Sequence, residues 1–191
     1  MKVIGINTSP RKDGNTALLI KTVFGELEKH GIETELLQVG GRPVRGCMAC
    51  GACRENRDRR CVIADDFVND CIAKMIAADG IILGSPTYFA DVNAEMKALI
   101  DRSGYVARGN DYLFKHKAGA AVTAVRRGGA THTFDTINHF FHLNQMILVG
   151  ATYWNMVYGR EIGDVANDEE GMANMRSIGE NMAWLLNRIG R

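Results

Sequence analysis

Cys47-x2-Cys50-x2-Cys53-x7-Cys61 places four of the chain's five cysteines within 15 residues, and Cys71 stands apart. Thiolates spaced by two residues bend around one centre, and a fourth after a short loop closes the coordination. Zinc accepts four thiolates, but its ribbons use two cysteine pairs with a longer spacer between them. A redox dithiol needs only one Cys-x-x-Cys. Three cysteines at successive two-residue intervals match the bacterial iron–sulfur run, although the last spacer is longer and no proline follows Cys61. The spacing thus favours a [4Fe–4S] cubane. Between Gly41 and Cys61 stand Arg42, Arg45, Arg54, Arg57, Arg59 and Arg60 against Glu55 and Asp58, a local charge of +4 in a chain of +1. Guanidinium groups near an anionic cluster stabilise it and raise its potential, and the same patch suits an acidic ferredoxin-type carrier. For Arg42 and Arg45 a solvated loop explains the charge equally well.

A second group with chemical potential is Asn7-Thr8-Ser9-Pro10-Arg11-Lys12-Asp13-Gly14-Asn15-Thr16. It leaves an apolar strand and enters a helix, the place where open α/β sheets bind ligands. Hydroxyls of Thr8, Ser9 and Thr16, the amide of Asn15 and the first-turn N–H groups can converge on one anion, favoured by Arg11 and the helix dipole. No Gly-Lys-Ser/Thr ends the loop and no G-x-G-x-x-G opens it, so it is neither a Walker loop nor a dinucleotide turn. So many donors suit a terminal phosphate monoester; an ordinary capped turn is the alternative.

The elements that position these groups alternate between short β-branched runs and helical patterns, the signature of βαβ units and a parallel sheet. Strands are predicted at residues 3–7, 33–39, 80–84, 117–125 and about 146–151. Helices are predicted from Asn15 or Thr16 to about 30, from Asp65-Asp66 onward, over 92–105, over 133–144, and from Asp168 to the end. Residues 40–64 show no period, although α/β connections usually take about 2–6 residues. The stretch therefore reads as a functional insertion. Cys71 and most of the nine methionines lie on apolar stripes and read as packing.

Ser9-Pro10-Arg11-x-x-Gly14-Asn15-Thr16 resembles the FMN phosphate loop of the NADPH-dependent FMN reductase branch of flavodoxin-like proteins. A second match follows in Gly84-Ser85-Pro86-Thr87-Tyr88-Phe89, then Ala94-x-Met96-Lys97 and Asp101-Arg102. The resemblance implies a three-layer α/β/α sandwich, one domain over 1–191, with a five-stranded parallel sheet of order 2-1-3-4-5. It also implies FMN held by Ser9, Arg11, Asn15 and Thr16 at the phosphate and by Pro86, Thr87, Tyr88 and Phe89 along the isoalloxazine. Arg126-Arg127-Gly128-Gly129 forms the third wall. The cysteine run is similar to that of the iron–sulfur flavoproteins within this branch. From that similarity come Cys47, Cys50, Cys53 and Cys61 as cluster ligands and a homodimer or homotetramer with one subunit's cluster near a neighbour's flavin.

These observations lead to an FMN-dependent oxidoreductase that moves electrons between NAD(P)H or a ferredoxin, FMN and the cluster. The alternatives are a flavin or quinone reductase without a functional cluster and a zinc-stapled binding module. No side chain is assigned as a general acid or base. A small-molecule redox substrate fits this chemistry. A charge of +1 gives no field for nucleic acid or an anionic membrane. The N-terminal apolar run is too short for a signal peptide and no stretch reaches ~18 apolar residues, so a cytoplasmic protein is expected. His132, His139 and His142 have no partner at ligand spacing, and Tyr153-Trp154 reads as core or subunit interface.

Overall fold

The computed structural model describes residues 1–189. Its strands are β1 (Lys2–Asn7), β2 (Glu33–Gln38), β3 (Gly80–Pro86), β4 (Ala118–Val125), β5 (Ile147–Leu148) and β6 (Met156–Tyr158). Its helices are α1 (Asn15–Lys29), α2 (Ala52–Asn56), α3 (Val68–Ala77), α4 (Ala94–Gly109), α5 (Ala130–Leu143) and α6 (Glu169–Ile189), with a 3-10 turn at Asp164–Asn167. All ladder pairings are parallel and the sheet runs β2-β1-β3-β4-β5, with β6 also on β4. This is the expected order.

Parallel strands need both faces covered, and β3 and β4 are correspondingly apolar and buried along almost their whole length. On one face Ile4, Ile6, Ile81 and Leu83 pack against α3, α4 and α5 through Phe67, Ile72, Met96, Leu99 and Phe141. On the other, Val3, Ile82, Ala120 and Val122 pack against α1 and α6 through Leu19, Ile20, Val23, Ile178 and Met182. Cys71 is 1% exposed within the first of these layers. Burial pushes its thiol up to about 12, which makes it inert packing.

Three expectations need correction. The fifth strand is broken: after two residues the chain leaves β4, and it returns at Met156. The buried Asn174 of α6 causes the break, because its side chain bonds Tyr153 N at 2.9 Å, Trp154 O at 3.0 Å and the Thr152 hydroxyl at 3.0 Å. Tyr153 and Trp154, expected as core or interface, stand in that detour 56% and 52% exposed, so neither belongs to the core. Asp65-Asp66 does not open α3. The helix starts at Val68, whose N–H donates to Asp66 Oδ1 at 3.1 Å, while Asp66 Oδ2 turns inward to Arg102. The insertion also holds one short helix, α2, against the end of α4, where a Cβ on Gly109 would lie 3.2 Å from Arg54 Cα.

Two glycines give opposite expectations. A Cβ on Gly40 would lie 2.1 Å from both the Thr8 and Ser9 carbonyl oxygens; backbone cannot yield, so Gly40→Ala is expected to cost about 3 kcal/mol, the upper end of overpacking. Gly25, inside α1, has open space where its Cβ would stand, so Gly25→Ala is expected to add about 0.5–1 kcal/mol. Urea unfolding midpoints of the two variants check both signs.

Candidate functional site

The β1 exit loop is built by polar side chains that fold it back on itself. Asn7 Oδ1 accepts from Ser9 N at 3.0 Å, and Asn7 Nδ2 donates to Gln38 Oε1 at 2.6 Å. Gln38 in turn donates to Ser9 O at 2.8 Å and to Gly40 O at 3.1 Å, so the end of β2 clamps the loop. Gly14 begins α1 without a side-chain cap, leaving first-turn N–H groups for a ligand. Thr16, in the first turn of α1, is only 1% exposed. Ser9 Oγ accepts from Arg11 N at 3.3 Å and keeps its own proton free to donate. This donor set fits a phosphate. Asn15 binds within the protein: Nδ2 donates to Glu161 O at 2.9 Å and Oδ1 accepts from Gly163 N at 2.8 Å, which brings the 160–163 segment to the loop. Arg11 is exposed beside that segment.

The β3 exit is locked to the β1 exit by Asn93, which is 1% exposed. Its Nδ2 donates to Thr8 O at 2.5 Å, its Oδ1 lies 2.7 Å from the Thr8 hydroxyl, and its N–H donates to Ser85 Oγ at 3.2 Å. Sequence reasoning missed this role. Asn93 immediately precedes α4 and carried only the ordinary signal of a helix cap, but its side chain caps no backbone N–H and bonds instead to Thr8 and to the Glu95 carboxylate.

Beyond Pro86, Tyr88 and Asp91 pair in a tight hairpin whose tip, Phe89 and Ala90, has φ of 47° and 65°. Left-handed backbone is uncommon for an aromatic residue. Phe89 is fully exposed and Tyr88 half exposed, presenting two aromatic side chains to whatever binds there. The β4 exit abuts this hairpin: a Cβ on Gly129 would stand 2.8 Å from Ala90 Cα, and Thr133 Oγ1 is 3.2 Å from Thr87 Oγ1. Arg126, Arg127 and Gly128 are exposed beside it. The structure thus gathers Ser9, Arg11, Asn15 and Thr16, then Pro86–Phe89, then Arg126–Gly129, along the edge where the strands end.

Cys47, Cys50, Cys53 and Cys61 line one cavity of about 250 Å³, walled by Ile63, Tyr105, Val106 and Arg102. Cys47 and Cys50 are exposed, while Cys53 and Cys61 are partly buried. Burial and then the neighbouring thiols of Cys61, Cys47 and Cys50 push the Cys53 thiol up, which places all four within electrostatic reach. Among the described residues no three Cys, His, Asp or Glu side chains converge on one metal ion. A cubane asks for something different, since each of its thiolates binds a separate iron. Four thiolates are the donor set that an iron–sulfur cluster uses, and one that zinc also accepts.

Three buried side chains hold this insertion by its backbone. Asn69 donates to Cys61 O at 2.9 Å and Ile63 O at 3.1 Å and accepts from Cys61 N at 2.8 Å. Asn110 donates to Cys53 O at 3.1 Å and accepts from Arg59 N at 3.0 Å. Arg102 donates from Nη2 to Ile63 O at 2.8 Å and from Nη1 to Arg45 O at 3.1 Å and to Asp66. Burial opposes ionisation of Asp66, but the hydrogen bonds from Arg102, Val68 and Arg45 keep its carboxyl below the usual range. Arg42, Arg45, Arg54, Arg57, Arg59 and Arg60 are all exposed, as are His132, His139 and His142.

Asp91 joins the hairpin to α5. Its Oδ1 accepts from the Thr136 hydroxyl and from Val92 N, both at 2.7 Å, and its Oδ2 lies 3.3 Å from His132 Nε2. Burial works against the charge, yet these contacts hold the carboxyl below its ordinary value. The resulting stability is present above the unfolded value, roughly 3.9, and is lost as pH falls through the lower native value. Asp91→Asn keeps an acceptor for Thr136 but cannot titrate, so its urea midpoint is expected to fall less steeply than wild type between roughly pH 5 and pH 2.

Comparison with known proteins agrees with this arrangement. Residues 1–161 match the family model of NADPH-dependent FMN reductases. An iron-sulfur flavoprotein of Methanocaldococcus jannaschii is 39% identical over 196 residues, covering 99% of each chain. One from Methanosarcina thermophila is 40% identical over 182 residues, covering 94% of this chain and 91% of that one. Among solved structures, a WrbA-like flavodoxin from Agrobacterium tumefaciens superimposes with a TM-score of 0.67 at 14% identity over 98% of both chains. RosB with bound 8-demethyl-8-formylriboflavin-5'-phosphate gives 0.73 at 16% identity, over 100% of this chain and 82% of that one. With its flavodoxin-like fold and a family match over most of its length, the chain belongs to the NADPH-dependent FMN reductase family and is an FMN-dependent oxidoreductase.

Proposed function

We propose that the chain is one FMN-binding unit over 1–191, interrupted at about 40–64 by an insertion that carries a [4Fe–4S] cluster on Cys47, Cys50, Cys53 and Cys61, and that it works in electron transfer. The observation that carries this reading is the single cavity lined by all four thiols. The names of the relatives support it. When bound, the flavin exchanges two electrons or one and the cluster one at a time.

Each part of the chain then has a task. Ser9, Thr16 and the uncapped N-terminus of α1 hold the FMN phosphate, with Arg11 supplying positive charge and Asn15 fixing the loop's far wall. Pro86, Thr87, Tyr88 and Phe89 give the isoalloxazine a flat apolar side, and Arg126, Arg127, Gly128 and Gly129 close the other. No side-chain acid or base is required. NAD(P)H is the proposed donor, in line with the family's description. An acidic ferredoxin-type carrier is the proposed protein partner, because the exposed arginines of the insertion lie beside the cysteine cavity. A small-molecule redox substrate, a homodimer or homotetramer and a cytoplasmic location complete the proposal. Exposed aromatics such as Phe89 and Trp154 support assembly. No helix of the described residues is long and apolar enough to cross a membrane.

Protein purified without oxygen is expected to show superposed flavin and iron–sulfur absorbance, with about four iron and four sulfide per chain. Cys50→Ala should lose iron and keep FMN. Thr16→Ala should keep iron and bind FMN about tenfold more weakly, the value of one hydrogen bond to a charged group. Wild-type protein containing FMN but no iron or sulfide would instead identify a flavin or quinone reductase with unmetallated cysteines, and zinc in their place would identify a structural staple.

A further inference from the structure

Holding the insertion's backbone does not account for all of Arg102's hydrogen bonds. It lies on α4, its side chain is 0% exposed, and a fully buried guanidinium is costly unless its hydrogen bonds are met. Asp66 neutralises it, and the carbonyls of Arg45 and Ile63 accept from its two terminal nitrogens. Its Nε–H donates elsewhere, to Cys61 Sγ at 3.3 Å. The backbone of Cys61 needs no such help, because Asn69 already satisfies both its N–H and its C=O. What Arg102 adds is a hydrogen bond to the sulfur and a positive charge in the wall of the cysteine cavity, out of water.

We propose that Arg102 is a positioning residue that orients the Cys61 thiolate and, through that hydrogen bond and its charge, raises the reduction potential of the cluster, with Asp66 moderating it. The inference rests on the cluster reading given above. On reduction one electron enters from dithionite or from the reduced flavin, no bond breaks, and the cluster with its thiolates gains one negative unit. A donor and a cation beside Cys61 favour that more negative form. The exposed arginines of the insertion act through solvent, where salt screens them within about 10 Å. Arg102 is not screened in this way.

The test uses full-length protein isolated without oxygen. Wild type, Asp66→Asn and the Arg102→Gln/Asp66→Asn double variant are titrated with dithionite while the reduced cluster is followed by electron paramagnetic resonance. The double variant leaves no unpaired buried carboxylate. Asp66→Asn, which removes the countercharge, should have a higher cluster potential than wild type. The double variant should lie below Asp66→Asn by at least tenfold in the reduction equilibrium constant, ~59 mV for one electron, with the flavin midpoint unchanged. A merely structural role would lower thermal stability and leave the potentials equal, and cluster-loaded proteins with equal potentials overturn the inference alone. Should the double variant not hold iron, Arg102→Lys/Asp66→Asn takes its place: a potential below that of Asp66→Asn supports the proposal, and an equal potential overturns it. Wild type without iron and sulfide removes the cluster reading itself, and the inference with it.

Discussion

Parallel pairing of β1 with β2 and β3, and of β3 with β4, brings the exits of four strands to one edge of the sheet. Parallel strands require crossovers, so each exit is a loop entering a helix or, after β2, an insertion. At that edge the loops meet through polar contacts. Gln38 clamps the β1 loop from β2, Asn93 ties it to the β3 exit, and Thr87 with Thr133 ties the β3 exit to α5. At Gly40 and Gly129 backbones come so close that no side chain fits without a shift. A hydroxyl-rich loop, an aromatic hairpin and an arginine–glycine turn are thereby held as one surface.

The insertion obeys a different constraint. Of residues 40–64 only Ile63, at the margin, is a buried apolar side chain, and the cysteines and arginines face a cavity or solvent. Such a segment cannot be ordered by apolar burial alone. Arg102, Asn110 and Asn69 substitute for a core by satisfying its backbone from α4 and α3. Between them they fix the backbone of Cys53 and Cys61 directly and that of Arg45, two residues before Cys47.

Much of this was legible in the sequence. The alternating apolar runs marked the strands, the resemblance implied their order, the missing period over 40–64 marked a segment whose one regular element is α2, and the hydroxyl-rich loop falls at the β1 exit as expected. The structure adds what local pattern does not carry. The break in the fifth strand depends on Asn174, some twenty residues away on another element. Asp66 read as a helix-dipole partner because acidic residues commonly open helices; it does accept from Val68 N at the start of α3, but its other oxygen pairs with Arg102, 36 positions away. Long-range polar pairing of this kind has no period to detect.

Arg102 did leave a trace. Met96, Leu99 and Val106 define the buried stripe of α4, and position 102 falls on that stripe between Leu99 and Val106. A lone arginine on an apolar helical face reads, by composition alone, as a side chain that snorkels to solvent. Here it cannot reach solvent, because the insertion folds over it and supplies Asp66, two carbonyls and one sulfur as acceptors. The burial follows from the insertion, and the insertion is in turn held by the arginine. A charge on the apolar face of a helix that packs under an unpatterned, cysteine-bearing loop is therefore better read as the loop's internal anchor than as an error in the stripe.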